Sequence, residues 1–400
     1  MKAIYLDAAL ISELGHFAGS CRSVAAALRG AGIETAVCGH SRINPALAAS
    51  VQALPLFTLH PNSAPVSDPV CGWLANFHHV AHVTAQDLGR LNGVQAGDLV
   101  IYNCARPAQI AAVVSWVQQS FSPDRLPRVV IILGWHPGML VTSRNTAGDI
   151  VEWRLTDQAS CLYRFAASMI QPAFAPAFRF AAADRPGSTG WSQLLGVPVV
   201  ALPYFQTATT RRRNRKGTEA PCVAFLGEQR ENKGYHLVPG IVARLLASNV
   251  PLRVLVQNSW SLMQTQNELL HKMAQENSRL TLRIGTASVE EWSQHLDASD
   301  FVVLPYDTGS YSTIISGIGA EAVANAIPQA VPKDTGLDLM MREYGSPGVV
   351  FSEVTESTVA DAVLDGLVHF DDLADTAFEA AGAWATRNEP AVLARSLLSI

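Results

Sequence analysis

The chain is 400 residues long, two to three ordinary domain lengths, so a single hydrophobic core is not expected. Hydrophobic residues make up 48% and charged residues 16%, against roughly 25% charged in an average globular chain, which excludes disorder. Apolar runs stop short of the ~20 residues that a membrane-spanning helix needs, and 29 Lys and Arg against 34 Asp and Glu leave a net charge of −5, without the basic excess of a general nucleic-acid binder.

The first residues, Met1 to Asp7, lack the long apolar region of a secretory signal and read as a β-strand. Cys21, Cys38, Cys71, Cys104, Cys161 and Cys222 are scattered, with no CxxC pair, and most sit among small or apolar neighbours. A reduced, cytoplasmic chain is expected. Short apolar runs then alternate with segments of helical period, the mark of βα units around parallel sheets. Strands are predicted at Ala3–Asp7, Glu34–Cys38, Leu99–Asn103, Val129–Leu133 and Val199–Leu202. Phe17, Cys21, Val24 and Leu28 share one helical face, and Gly30 and Gly32 stop that helix.

Residues 206–217 contain Arg211-Arg212-Arg213-Asn214-Arg215-Lys216 and almost nothing apolar, so they read as a solvated basic linker. The alternation then resumes, with strands predicted at Val223–Leu226, Leu252–Gln257, Leu280–Ile284, Phe301–Leu304 and Val349–Phe351. Two α/β domains joined by a polar hinge follow. In such sheets ligands lie beyond the carboxyl ends of the strands, so the loops there carry the function.

Two of these loops stand out in the second half. Phe301 to Tyr306 is a buried strand ending at Pro305, followed by a small polar loop and by Ser316-Gly317-Ile318-Gly319-Ala320-Glu321-Ala322, which opens a helix. Small residues at a helix start let a phosphate approach free amides, where the helix dipole favours negative charge. Glu321, about one turn in, is placed to accept hydrogen bonds from ribose hydroxyls. A plain βα turn with a surface Glu reads the same way. The second loop, Gly227-Glu228-Gln229-Arg230-Glu231-Asn232-Lys233-Gly234, carries two cations suited to a diphosphate: Arg230 through its fork and Lys233 as a point charge. A solvated loop in which Glu228 and Glu231 offset them is the alternative.

Taken together, Gly227-x5-Lys233-Gly234, Ser316-Gly317-x3-Glu321-Ala322 and Pro328 resemble the donor domain of retaining GT-B glycosyltransferases, the large family with the Glu-x7-Glu signature. The resemblance implies two Rossmann-like domains facing each other across a cleft. Residues 1–205 would be the acceptor side, 218–385 the nucleotide-sugar donor domain, and 386–400 a helix packing back on the first domain. It implies that Arg230 and Lys233 hold the donor phosphates, that Ser316 and Gly317 offer backbone groups, and that Glu321 binds the ribose; Gly227 and Tyr306 join the donor-binding set. The family's first Glu falls at Thr313, and its usual Arg after the first glycine is Glu228 here, with Arg230 the substitute. In the first half, Gly15 and His16 in the first βα loop, and Trp135 and His136 after the strand at Val129–Leu133, are candidates for contacting donor or acceptor. A plain turn, a packed Trp and a structural His are the alternatives.

The implied reaction transfers a sugar from a nucleoside diphosphate sugar to a hydroxyl of a glycan, lipid-linked or protein acceptor, with retention. The alternatives are a non-catalytic nucleotide-sugar-binding or assembly protein, favoured by Thr313, and a sugar-nucleotide epimerase, disfavoured because the first half shows no carboxylate pair. No cofactor and no metal are expected: there is no Asp-x-Asp pair, and His78 and His82 at i, i+4 lack a third ligand at metal-site spacing. The run Arg211–Lys216 could touch an anionic membrane weakly. Ser188 or Thr189 is expected to cap the helix that follows Asp184.

Overall fold

The structure is a computed structural model that describes residues 1–13, 16–146, 148–206, 208–217, 220–228, 230–258 and 263–400. The chain divides into two compact units, one of Met1–Arg144, Asp149–Thr207 and Asn388–Ile400, the other of Asn145–Gly148 and Ala208–Arg387.

The first unit is built on a seven-stranded sheet. Its strands are β1 (Ala3–Leu6), β2 (Thr35–His40), β3 (Ala53–Phe57), β4 (Leu99–Tyr102), β5 (Arg128–Ile132), β8 (Phe178–Ala182) and β9 (Val199–Ala201), while β6 (Met139–Arg144) and β7 (Ile150–Leu155) form an antiparallel hairpin. The sheet order is β3-β2-β1-β4-β5-β8-β9, with every pair parallel. Side chains alternate across it: Ile4 and Leu6 join the core on one face, Ala3 and Tyr5 the core on the other. Two strands of this sheet, β3 and β8, are not among those predicted. Pro55 sits inside β3, which is tolerated because that strand is at the sheet edge.

The helix His16–Gly30 buries Cys21, Val24 and Leu28, as their spacing predicts. The same core takes Leu393, Ala394 and Leu397 from the last helix, Pro390–Ser399, and the Arg128 guanidinium donates to the Leu398 and Ile400 carbonyls at 2.6 and 2.7 Å. The expected cap at Ser188 or Thr189 is corrected: Asp184 caps the helix Arg185–Leu195 by accepting from Gly187 N, and both hydroxyls lie inside the helix, donating to the Arg185 carbonyl.

The second unit carries a six-stranded parallel sheet of β10 (Cys222–Phe225), β11 (Arg253–Asn258), β12 (Leu280–Ile284), β13 (Phe301–Val303), β14 (Gln329–Pro332) and β15 (Gly348–Phe351), in the order β12-β11-β10-β13-β14-β15. Its core gathers Val223, Val254 and Phe301 from the strands with Ile241, Leu245, Val359 and Val363 from helices.

The basic run is exposed except at Arg215, which polarity alone would place in solvent with the rest. Arg215 is 1% exposed, pairs with Asp300 at 3.6 Å, and donates to the carbonyls of Leu296, Asp297 and Ser299, the unsatisfied C-terminal end of the helix Val289–Ala298. Arg211 pairs with Asp297 at 2.7 Å, Lys216 with Asp375 at 2.7 Å, and the Arg212 guanidinium stacks 3.8 Å from the Phe378 ring centroid. Arg211, Arg212 and Lys216 thus find partners within the second unit while remaining exposed. No helix among the described residues is long and apolar enough to cross a membrane.

Candidate functional site

In the second sheet the chain returns past β10 to place β13, so the strand order reverses between β10 and β13 and a crevice opens beyond their carboxyl ends. Gly227 follows β10 and Pro305-Tyr306 follows β13. Gly227 has φ +101°, and a Cβ there would lie 2.4 Å from Ile318 Cδ1. This glycine thus lets the loop after β10 touch the start of the helix Gly317–Ala324. The two loops singled out in sequence meet at that point. Gly234, at φ +67°, closes the other side: an added Cβ would lie 1.9 Å from the Pro305 carbonyl oxygen.

Lys233 lines this crevice with Gly227 and Tyr306. It is half-buried, its Nζ lies 5.5 Å from the Tyr306 ring centroid, and desolvation pulls its pKa down. It forms no ion pair among the described residues. Ser316 precedes the helix with its side chain making no cap bond; its hydroxyl lies 3.4 Å from the buried Tyr306 hydroxyl. The first-turn amides of that helix have no helical acceptor, so a half-buried cation and a helix start share one crevice. Arg230 is more exposed and is engaged by Glu228 in an ion pair.

Glu321 is half-buried and accepts from the Trp292 indole N–H. Burial lifts its pKa from 4.5 to about 7, against the lowering effect of that bond. A folded-state pKa raised in this way favours the folded state less as pH climbs from 4.5 through 7, because the native carboxyl gives up its proton later than the unfolded one. Glu321→Gln is therefore expected to melt higher than the parent at pH 8, by on the order of 3 kcal/mol of stability, with the gap closing towards pH 5. Melting curves of both proteins across that range measure it, and coincident curves at pH 8 would refute it.

Thr313 is fully buried, and its hydroxyl has no hydrogen-bond partner among the described residues. It belongs to the loop that joins β13 to the helix. Gln257 escaped the sequence reading. Its buried side chain accepts from Gly227 N at 2.8 Å and donates to the Gly285 carbonyl at 3.3 Å, tying together the loops after β10 and β12. A second cavity, of about 270 Å³, opens beside it, lined by Arg283, Gly285, Glu291 and His295. Only a polar residue at the end of a buried strand hinted at this role.

In the first unit the order reverses between β1 and β4. Asp7 and Asn103 follow these strands and are joined at 2.8 Å, and burial raises the Asp7 carboxyl to about 7. His16 opens the first helix with its Nε2 3.8 Å from Cys104 Sγ, and burial lowers its pKa. Trp135 donates to the Cys104 carbonyl at 3.2 Å, and His136 Nδ1 accepts from Gly138 N at 2.8 Å. His16 and Trp135 are thus brought to one place through Cys104, which sequence reading missed; its φ of +49° is unusual for a non-glycine residue. Gly15 lies outside the described residues. His78 and His82 are exposed on the helix Gly72–Leu88, and no group of three or more His, Cys, Asp or Glu able to hold a metal forms among the described residues.

No family model matches the chain, and no curated protein matches it in sequence. Solved structures do. The Anabaena protein HepE in complex with UDP is 13% identical, with 100% of this chain and 99% of that one covered at a TM-score of 0.61. Sucrose-phosphate synthase from Thermosynechococcus elongatus is also 13% identical, with 99% and 98% covered and a TM-score of 0.61. A Listeria monocytogenes protein assigned as a UDP-N-acetylglucosamine 2-epimerase is 13% identical, with 96% and 95% covered and a TM-score of 0.56. At these identities the likeness is one of fold. Two parallel Rossmann-like units, matched end to end by glycosyltransferase structures, give this chain the GT-B fold.

Proposed function

We propose that the chain is a retaining, metal-independent glycosyltransferase that moves a sugar from a nucleoside diphosphate sugar to an acceptor hydroxyl. The observation that carries this reading is Lys233, a half-buried cation that forms no ion pair among the described residues, set beside the Gly317 helix start at the switch point of the second sheet. A desolvated ammonium in such a place is stabilised by an anion, and the departing diphosphate is that anion. The UDP bound in the HepE structure, and the UDP-glucose bound in a second structure of that protein, support a nucleotide on this fold. Glu321, one turn into the helix, takes the ribose. The cavity beside Gln257 and Gly285 takes the base.

In the reaction the bond between the sugar C1 and the diphosphate oxygen breaks, and the acceptor oxygen joins C1 on the same face. The acceptor proton passes to the leaving diphosphate. Lys233 and the helix amides stabilise the charge that accumulates there, with Arg230 joining once it parts from Glu228. A same-face attack fits because, among the described residues that line the crevice, the one carboxylate is Glu228, which is bound to Arg230.

The test is a thermal-shift panel of UDP, GDP, dTDP, ADP and CMP, with and without EDTA. One nucleotide at 100 times its Kd adds about 2.7 kcal/mol and raises the melting point, and EDTA leaves that shift in place. If no nucleotide stabilises the protein, the donor site is wrong; if one does but its sugar nucleotide is neither transferred nor hydrolysed, the chain is a non-catalytic binder, the reading that Thr313 favours.

A further inference from the structure

Arg106 follows β4 at the carboxyl edge of the first sheet, with its guanidinium 4.1 Å from the Trp135 ring centroid. Burial lowers its pKa, and the other charges acting on it come from the Tyr163 phenol and the Cys104 thiol, not from a carboxylate. Its Nε is buried without a hydrogen-bond partner, and it enters none of the ion pairs formed among the described residues. A half-buried guanidinium with no carboxylate beside it carries a desolvation cost unless something answers its charge. Stacking on Trp135 returns only part of that cost.

A second arginine and two histidines, both with their pKa values lowered by burial, gather at the same edge. His40 ends β2 and is fully buried, with its Nε2 lacking a partner, and His60 lies in the loop after β3. The charges of Arg106 and Arg42 both reach His60, and that of Arg42 reaches His40. Arg42 is exposed and also forms no ion pair among the described residues. The one carboxylate that acts on His40, Asp87, is already taken by Arg90 at 2.6 Å and by the Thr58 N–H and hydroxyl at 2.8 and 3.0 Å. Two arginines and two histidines from the ends of three strands therefore share an edge where ligands of parallel sheets bind, without a carboxylate of their own to answer them.

We propose that this edge of the first unit is an anion subsite for a phosphate monoester, with Arg106 its principal ligand and Arg42 and His60 completing it. Two guanidinium groups beside imidazoles match the two charges of a phosphate monoester, one more than a carboxylate carries. Resting on the glycosyltransferase reading, the inference names the acceptor class: a hydroxyl compound that carries a phosphate group, held by that group in the first unit. The phosphate can belong to a small phosphorylated sugar or to a lipid headgroup.

The experiment uses the full chain. Glucose 6-phosphate and inorganic phosphate are compared with glucose by thermal shift and calorimetry, and vesicles of phosphatidylcholine with and without phosphatidic acid by cosedimentation. The expected result is saturable binding in one of the two arms, no response to glucose, and an affinity about 10- to 100-fold lower in Arg106→Met, which keeps an apolar stem over Trp135. Arg106→Lys should fall between the two, since it keeps the charge and loses the fork. The exposed Arg42→Ala, which cannot disturb the core, should weaken binding several-fold and decides the matter if Arg106→Met does not fold. Whichever arm responds identifies the source of the phosphate. Silence in both arms, or binding that survives both Arg106→Met and Arg42→Ala, overturns the proposal; so does binding lost in Lys233→Ala but kept in Arg106→Met, which would place the phosphate in the second unit. Arg106-dependent phosphate binding in a protein that ignores every nucleotide would keep this subsite and discard the glycosyltransferase reading.

Discussion

Lys233→Ala is expected to weaken nucleoside diphosphate binding about 100-fold, a loss of ~2.7 kcal/mol, while the free protein melts no lower than the parent. The two halves of this result have one cause. In the free protein the ammonium is desolvated, its pKa is pulled down, and it forms no ion pair among the described residues, so it contributes little to the fold. At neutral pH a lysine with a depressed folded-state pKa carries a destabilising charge, and removing it relieves the native state. With diphosphate present, the same desolvation strengthens the attraction between ammonium and phosphate. Calorimetry with the nucleotide that stabilises the parent, and melting curves without it, read the two effects separately. Undiminished binding would remove Lys233 from the donor site; lost binding with a collapsed melting point would make it a structural residue.

Arg215→Ala is expected to cost 3–5 kcal/mol of stability, roughly the penalty for leaving one member of a buried ion pair alone. Asp300 is 2% exposed, and after the change its carboxylate would keep the Cys222 N–H at 2.9 Å but lose its cation. The Ser299 carbonyl would lose its donor at the same time, while the Leu296 carbonyl keeps the Ser299 N–H and the Asp297 carbonyl keeps Arg213. Denaturant unfolding measures the loss through the midpoint. A control at Arg212, whose guanidinium lies over Phe378 and serves no buried carboxylate, should lose far less. Equal losses at the two positions would show that the run acts through its general charge and not through the buried pair.

The same arginine shows how far local reading reaches. From sequence, Arg211 to Lys216 is six polar residues between two apolar alternations, and polarity predicts solvent. Arg215 is buried because the end of the helix Val289–Ala298, more than 80 positions further on, presents carbonyls that no residue of its own helix can satisfy. Local pattern carries no record of such a partner. Thr313 makes a related point: its register against Glu321 puts it where the family's first Glu falls, and the folded loop buries it, which that register does not reveal.

By itself the sequence determined the parallel-sheet architecture, the two loops at Gly227–Gly234 and Ser316–Glu321, and the inward face of the first helix. Each of these is set by neighbours a few residues apart: the two-residue and 3.6-residue periods, glycines where a positive φ or a close approach is needed, and small residues at a helix start. Only the tertiary structure decided what those loops meet. Strand order placed Gly227 against Ile318 and Gln257 between Gly227 and Gly285. It also set the Trp292 indole on Glu321 and the Arg106 guanidinium on Trp135 beside a sheet edge rich in cations. The physical reason is that hydrogen bonds, ion pairs and desolvation act over a few ångströms of space, and crossover connections bring together residues that are 28 to 91 positions apart in the chain.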